Sequence, residues 1–124
     1  MPTLSLIAVV DDDESVRESL EGLIRSVGFA VRTFPSAEEF LNWEGLRDTD
    51  CLILDVRMPG MDGMELHRRL IEDRWEMPVI FTTAHGSATE MRAQALRNGA
   101  VAFLDKPLSE EALLTAIRAA VNGR

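Results

Sequence analysis

Four short stretches carry residues able to do chemistry. Asp11-Asp12-Asp13-Glu14 follows directly on an apolar run ending at Val10, and Asp55 closes the run Cys51-Leu52-Ile53-Leu54. Thr82-Thr83-Ala84-His85-Gly86 and Asp105-Lys106-Pro107 end two later runs. Taken singly, each has an ordinary reading. Asp11–Glu14 suits a solvated turn with helix-capping acids, Asp55 a loop, and the threonines a strand. Taken together, they change the odds. If Asp11, Asp12 and Asp55 converge, two carboxylates about 4 Å apart repel by roughly 4 kcal/mol at an effective dielectric near 20. Three would need a cation among them, or protonation. A hard divalent ion suits oxygen donors, and with so few protein ligands Mg²⁺ that keeps its waters fits better than a Ca²⁺ cage. Lys106 is the only lysine, the other twelve basic residues being arginine. Its ammonium is a compact point charge that can meet a phosphate without bidentate geometry. A hydroxyl followed by small residues leaves room for an oxyanion. Three acids, a hydroxyl and an ammonium suit phosphoryl transfer onto an aspartate, where the protein mainly positions groups and neutralises charge.

The elements that must bring these residues together are legible as alternating patterns. Leu4–Val10, Phe29–Phe34, Cys51–Leu54, Val79–Thr83 and Val101–Leu104 are short, apolar and rich in β-branched residues, as expected of strands covered on both faces. Phe29–Phe34, with Arg32 and Thr33, reads as an edge strand. Between the strands lie helical spacings. Val16, Leu20, Leu23, Ile24 and Val27 share one stripe that Gly28 can end in a left-handed cap. Ser36 to Glu39 and Ser87 to Glu90 have capping-box spacing. The third helix is expected over Met64 to Trp75, and the fourth ends at Arg97-Asn98-Gly99. The fifth starts from a Ser109 cap, with Leu113, Ile117 and Val121 in line. Asp13 reads as the N-cap of the first helix. Five β/α units imply a three-layer α/β/α, doubly wound, five-stranded parallel sheet in the flavodoxin-like order 2-1-3-4-5. In that order the first and third strands are neighbours, and ligands sit beyond the carboxyl ends of the strands.

Composition narrows the function classes. With 124 residues, a single domain over 1–124 is expected. A net charge of −8 argues against the domain gripping nucleic acid or an anionic membrane. No apolar run approaches the length of a membrane span, no signal peptide is evident, and a single cysteine, Cys51, excludes an internal disulfide. A cytoplasmic location is the expectation.

The ordered set Val10-Asp11-Asp12, Asp55-Val56-Arg57-Met58-Pro59-Gly60-Met61-Asp62-Gly63, Thr83-Ala84 and Lys106-Pro107 resembles response-regulator receiver domains of two-component signalling across essentially the whole chain. The stretch 33–41 (Thr-Phe-Pro-Ser-Ala-Glu-Glu-Phe-Leu) and the Thr-x-His-Gly pattern from Thr83 are similar to the FixJ-like branch. The resemblance implies roles. Asp55 is the phosphoacceptor. Asp12 and Asp55, with the backbone carbonyl of Arg57, hold Mg²⁺, and Asp11 acts through a metal-bound water or from outside the ligand set. Thr83 hydrogen-bonds the new phosphoryl group, Lys106 pairs with it, and Phe103 is the switch aromatic, although a plain core phenylalanine fits that position equally well. Phosphorylation then shifts the face of the fourth helix and fifth strand, to control dimerisation or an output partner, with transcription regulation the FixJ-like expectation for a full-length protein. The implied partners are a sensor histidine kinase or phosphotransfer protein and a phosphorylation-dependent second copy of the chain. The chain then catalyses only its own phosphorylation and dephosphorylation, and it includes no effector domain.

Some residues remain open at this level. Thr82 and Thr83 are adjacent, and Thr83 is preferred because it precedes Ala84 and lies closer in sequence to Lys106. The stretch between Gly86 and Gly99 is one residue longer than the family pattern, which leaves the register of the fourth helix open. His85 could tune hydrolysis or be a loop residue, and His67 receives no role. Cys51 reads as a buried thiol, and Trp43 and Trp75 as packing at helix ends. A rival reading is a haloacid-dehalogenase-type phosphohydrolase, for which Asp11-Asp12-Asp13 supplies the Asp-x-Asp. That family needs a further acidic pair after its lysine, and only Glu110 and Glu111 follow here. A flavodoxin-like nucleotide binder would need a Gly-rich phosphate loop after the first strand, which is missing.

Overall fold

The computed structural model describes residues 4–84 and 89–123. Within them, five strands alternate with five α-helices: β1 (Leu6–Val10), α1 (Glu14–Ser26), β2 (Ala30–Phe34), α2 (Ala37–Leu41), β3 (Cys51–Asp55), α3 (Gly63–Glu72), β4 (Val79–Thr83), α4 (Thr89–Arg97), β5 (Ala102–Asp105) and α5 (Glu110–Asn122). A 3-10 helix over Glu44–Asp48, unmarked by any sequence signal used above, joins α2 to β3. All strand pairings are parallel and the order is β2-β1-β3-β4-β5, as expected.

Strand alternation divides the core in two, because successive side chains point to opposite faces. Ala8, Val10, Leu52, Leu54, Phe81 and Phe103 face one side and pack with Phe40, Leu66, Leu70 and Ala95 from α2, α3 and α4. Ile7, Val9, Ile53 and Ile80 face the other and pack with Leu20, Ile24, Leu113 and Ile117 from α1 and α5. The sheet is therefore the middle of three layers. Both faces are apolar, which explains why β1, β3 and β4 read as continuous hydrophobic runs.

Three helices stop by the same device. Gly28, Arg74 and Gly99 all have positive φ, at +100°, +64° and +98°. In each case the residue after the left-handed one donates its N–H back five residues: Phe29 to Ile24, Trp75 to Leu70, and Ala100 to Ala95. These are Schellman ends, normally marked by glycine. For α3 the left-handed residue is Arg74, so the helix ends at Glu72 rather than running on to Trp75. The starts follow expectation. Asp13 caps α1 by accepting from Ser15 and Val16, Ser36 caps α2 through Glu39 N–H, and Ser109 caps α5 through Ala112 N–H. Ser87, expected to cap α4, lies outside the described residues, as does His85. At the strands, β1 begins at Leu6 and leaves Leu4 exposed, whereas β3 and β5 each extend one residue further, to Asp55 and Asp105.

Candidate functional site

The parallel pairing of β1 with β3 ends at Val10↔Leu54, so the next residues, Asp11 and Asp55, emerge side by side from the carboxyl edge of the sheet. Asp11, Asp12 and Asp55 each offer a carboxylate oxygen within 4.8 Å of the others. Asp11 and Asp55 are buried, at 1% and 5% exposure, and Asp12 is exposed. From the far end of the chain Lys106 reaches the same place. Its Nζ donates to Asp11 Oδ2 at 2.9 Å and stands 3.5 Å from Asp55 Oδ1. The Lys106–Pro107 bond, open at the sequence level, is cis. The Lys106 N–H donates to the Thr83 carbonyl at 2.7 Å, which ties this loop to the end of β4.

The acidic loop is fixed from within. Asp11 Oδ1 accepts from Asp13 N–H at 2.9 Å, and the Asp11 carbonyl accepts from Arg17 Nη1 at 2.7 Å. Both Asp11 carboxylate oxygens thus have donors, one from the backbone and one from Lys106. Asp55 is less well compensated. Burial and the neighbouring Asp11 charge push its pKa up to about 6, against the pull of Lys106. For Lys106, burial disfavours the ammonium, but its bond and attraction to Asp11 and the nearby Asp55 outweigh this and raise the pKa.

These observations bear on whether a metal fits. Two buried carboxylates and one exposed one converge, among the described residues a single lysine is paired with them, and every donor is a hard oxygen. That set matches a divalent cation with part of its water shell retained.

The threonines are both buried and sit at different places in the sheet. Thr82 pairs with Asp55, and Val56 N–H donates to the Thr82 carbonyl. Thr83 ends β4 opposite Asp105. Alternation puts Thr83 on the same sheet face as Phe81 and Phe103, which are paired with each other and whose rings lie 5.8 Å apart. Phe103 is 4% exposed. Arg57, exposed, stands two residues beyond Asp55 on the loop leading to α3. That loop turns back tightly: Gly63 N–H donates to the Val56 carbonyl at 2.9 Å, and a Cβ on Gly63 would overlap the Asp55 carbonyl oxygen.

Three residues around the site escaped the reading of the sequence. Arg17 holds the Asp11 carbonyl. Glu38, on α2, accepts from Met61 N–H at 3.1 Å, and its own amide first, then this bond, lower its pKa. Arg92, on α4, sets its guanidinium 4.9 Å from the centre of the Phe103 ring, donates to the Phe103 carbonyl at 2.6 Å and pairs with Asp105 at 3.1 Å. This also fixes the register of α4 left open above: Arg92 faces β5 and Ala95 faces the core. No spacing rule links Glu38 to Met61 or Arg92 to Phe103, because both contacts join different elements. His67 is buried on α3 edge-on to Phe81, and burial lowers its pKa. Cys51 is a buried free thiol, and Trp43 and Trp75 pack at the margin of one core cluster.

The response regulator receiver domain pattern matches residues 7–118. The response regulator protein TmoT of Ectopseudomonas mendocina is 47% identical over 117 residues, covering 94% of this chain and 53% of TmoT. The transcriptional regulatory protein FixJ of Azorhizobium caulinodans is 40% identical over 121 residues, covering 98% of this chain and 57% of FixJ. The crystal structure of FixJ-N superposes with a TM-score of 0.86 at 36% identity, covering 100% of this chain and 98% of that one. The chain spans about half the length of the curated relatives it matches. The comparisons give no support to the haloacid-dehalogenase alternative, and Glu110 and Glu111 are exposed in the first turn of α5.

Proposed function

The chain belongs to the response regulator receiver domain family, the phosphorylation-controlled switches of two-component signalling, and on that premise we propose that Asp55 is its phosphoacceptor. The observation that carries this is the placing of the Lys106 ammonium between Asp11 and Asp55, at 2.9 and 3.5 Å, beside three carboxylates within 4.8 Å of one another. Asp12 and Asp55, with the backbone carbonyl of Arg57, are the residues that would hold Mg²⁺. When bound, Mg²⁺ supplies positive charge against the carboxylates and the transferring phosphoryl oxygens. Asp11, whose two oxygens already accept from Asp13 N–H and Lys106, acts at one remove by orienting the ammonium.

Receiver domains of response regulators interact with histidine kinases. In this reading a sensor kinase or phosphotransfer protein presents a phosphohistidine. An Asp55 carboxylate oxygen attacks phosphorus in line. The new P–O bond forms as the P–N bond breaks, and its electron pair leaves with the imidazole. Lys106 neutralises charge on the phosphoryl oxygens. The product carries roughly −1.5 to −2 charges if an acyl phosphate behaves like other phosphorylated side chains. The Thr83 hydroxyl then donates to a phosphoryl oxygen, and the shared sheet face transmits that movement to Phe103. The α4–β5 face changes, and a second copy of the chain or an output partner reads the change. The domain acts on no other substrate, works in the cytoplasm, and contacts neither nucleic acid nor membrane itself. Within a longer protein the output would be transcription regulation, as the name of the FixJ relative states for that protein.

Acetyl phosphate with Mg²⁺, followed by intact-mass measurement, tests the assignment. The wild-type chain should gain one phosphoryl mass and Asp55→Asn none. An equal gain in the variant would defeat it.

A further inference from the structure

The loop between β3 and α3 is anchored twice. At its base, Val56 is buried, its N–H donates to the Thr82 carbonyl, and its own carbonyl accepts from Gly63 N–H. At its tip the anchor comes from another element, since Glu38 Oε2 accepts from Met61 N–H at 3.1 Å. Arg57 lies between the two anchors, with Val56 and Met58 on either side buried. The approach of Glu38 depends on Gly60. That residue has φ +75°, and a Cβ there would come within 2.8 Å of Glu38 Oε2, so only glycine leaves the carboxylate its place. The short helix that carries Glu38 is itself fixed, by the Ser36 cap and by the fully buried Ala37 and Phe40.

We propose that Glu38 is a positioning residue for the phosphoacceptor site: from α2 it holds the β3–α3 loop, which carries the Arg57 carbonyl, and it thereby sets how tightly the pocket takes Mg²⁺. This rests on the reading given under Proposed function. The physical ground is preorganisation. A loop already held in its binding pose loses less conformational freedom when a ligand arrives than one that must be ordered at that moment. The contribution is made through a hydrogen bond to the loop backbone, and Glu38 is not one of the clustered carboxylates that would hold the cation.

Calorimetric titration with Mg²⁺ of the wild type, Glu38→Ala and Glu38→Gln separates this from a charge effect. Glutamine removes the negative charge but keeps an acceptor oxygen at the same reach. The alanine variant should bind Mg²⁺ roughly threefold to tenfold more weakly, the range one hydrogen bond covers, and the glutamine variant should stay near wild type. Hydrogen exchange at the Met61 amide gives a second readout without metal: faster in Glu38→Ala, near wild type in Glu38→Gln. Wild-type affinity in Glu38→Ala would overturn the inference, and so would a glutamine variant as weak as alanine. Wild-type protein that binds Mg²⁺ but gains no phosphoryl mass at Asp55 would overturn the phosphoacceptor reading while leaving this test to stand on its own. Protein that takes up no Mg²⁺ would overturn both.

Discussion

Burial and the adjacent Asp11 raise the Asp55 pKa to about 6, from an ordinary value near 3.8. The linkage has a definite sign. Below the ordinary value the side chain is protonated in both folded and unfolded chains, and no cost arises. As pH rises from about 4 to about 6, the unfolded chain ionises first, so folding loses stability across that window and the loss stays constant above it. Replacing Asp55 with asparagine removes the cost. In EDTA, Asp55→Asn should therefore melt higher than wild type at pH 7 to 8, by a stability difference of the order of 2 kcal/mol. The advantage should fade as pH drops from 6 to 4. Thermal melts across that range check it, and a difference independent of pH would contradict it. At this scale much of the site was legible, since Asp11, Asp12, Asp55 and Lys106 stood out by residue type and by position at the ends of apolar runs. Glu38, Arg17 and Arg92 were not legible. A carboxylate or guanidinium that acts on the backbone of a distant element leaves no spacing in the sequence.

Among the elements, α4 depends on its contact with β5. Its sequence, Thr89–Arg97, buries Ala95 as its sole fully buried side chain, so it has little apolar surface with which to hold itself to the sheet. Arg92 supplements that packing through its bond to the Phe103 carbonyl, its pairing with Asp105 and its position over the ring. Arginine suits all three tasks because it is planar, multidentate and weakly hydrated. Arg92→Ala should cost about 1 kcal/mol in urea unfolding, and hydrogen exchange along α4 should accelerate more than along α3. Equal acceleration in both helices would count against a local role. Helix ends teach a related lesson. Gly28 and Gly99 announced two of the three left-handed ends, and the third went unread because arginine occupies the position that glycine usually takes. The expected Met64–Trp75 helix was overlong for that reason alone. The 3-10 helix over Glu44–Asp48 was missed because it is held by tertiary packing of Leu46 and Trp43 and has no periodicity of its own.

For the molecule as a whole, the sheet order was readable because five alternating units with both sheet faces apolar leave few parallel topologies, and right-handed crossovers reduce them further. Which surface responds to phosphorylation does not follow from the sheet order; the family resemblance alone implies the face of the fourth helix and fifth strand. The α4–β5 side carries exposed Leu96 and Val101, apolar residues flanking the element that Arg92 secures. If phosphorylation reshapes that side for self-association, sedimentation with Mg²⁺ and beryllofluoride should show twice the mass seen without them. A monomer under both conditions would leave an external partner as the only reader of the switch. The positive charge of the molecule is also unevenly distributed by chemistry. The sequence has twelve arginines, and the one primary amine on a side chain sits half-hidden between Asp11 and Asp55. Guanidinium groups are inert to mild acylating agents, so a reagent or metabolite that acylates side-chain amines has a single target here. If Lys106 pairs with the phosphoryl group as proposed, acylating it should blunt phosphorylation of Asp55, which intact-mass measurement after acetyl phosphate with Mg²⁺ would show.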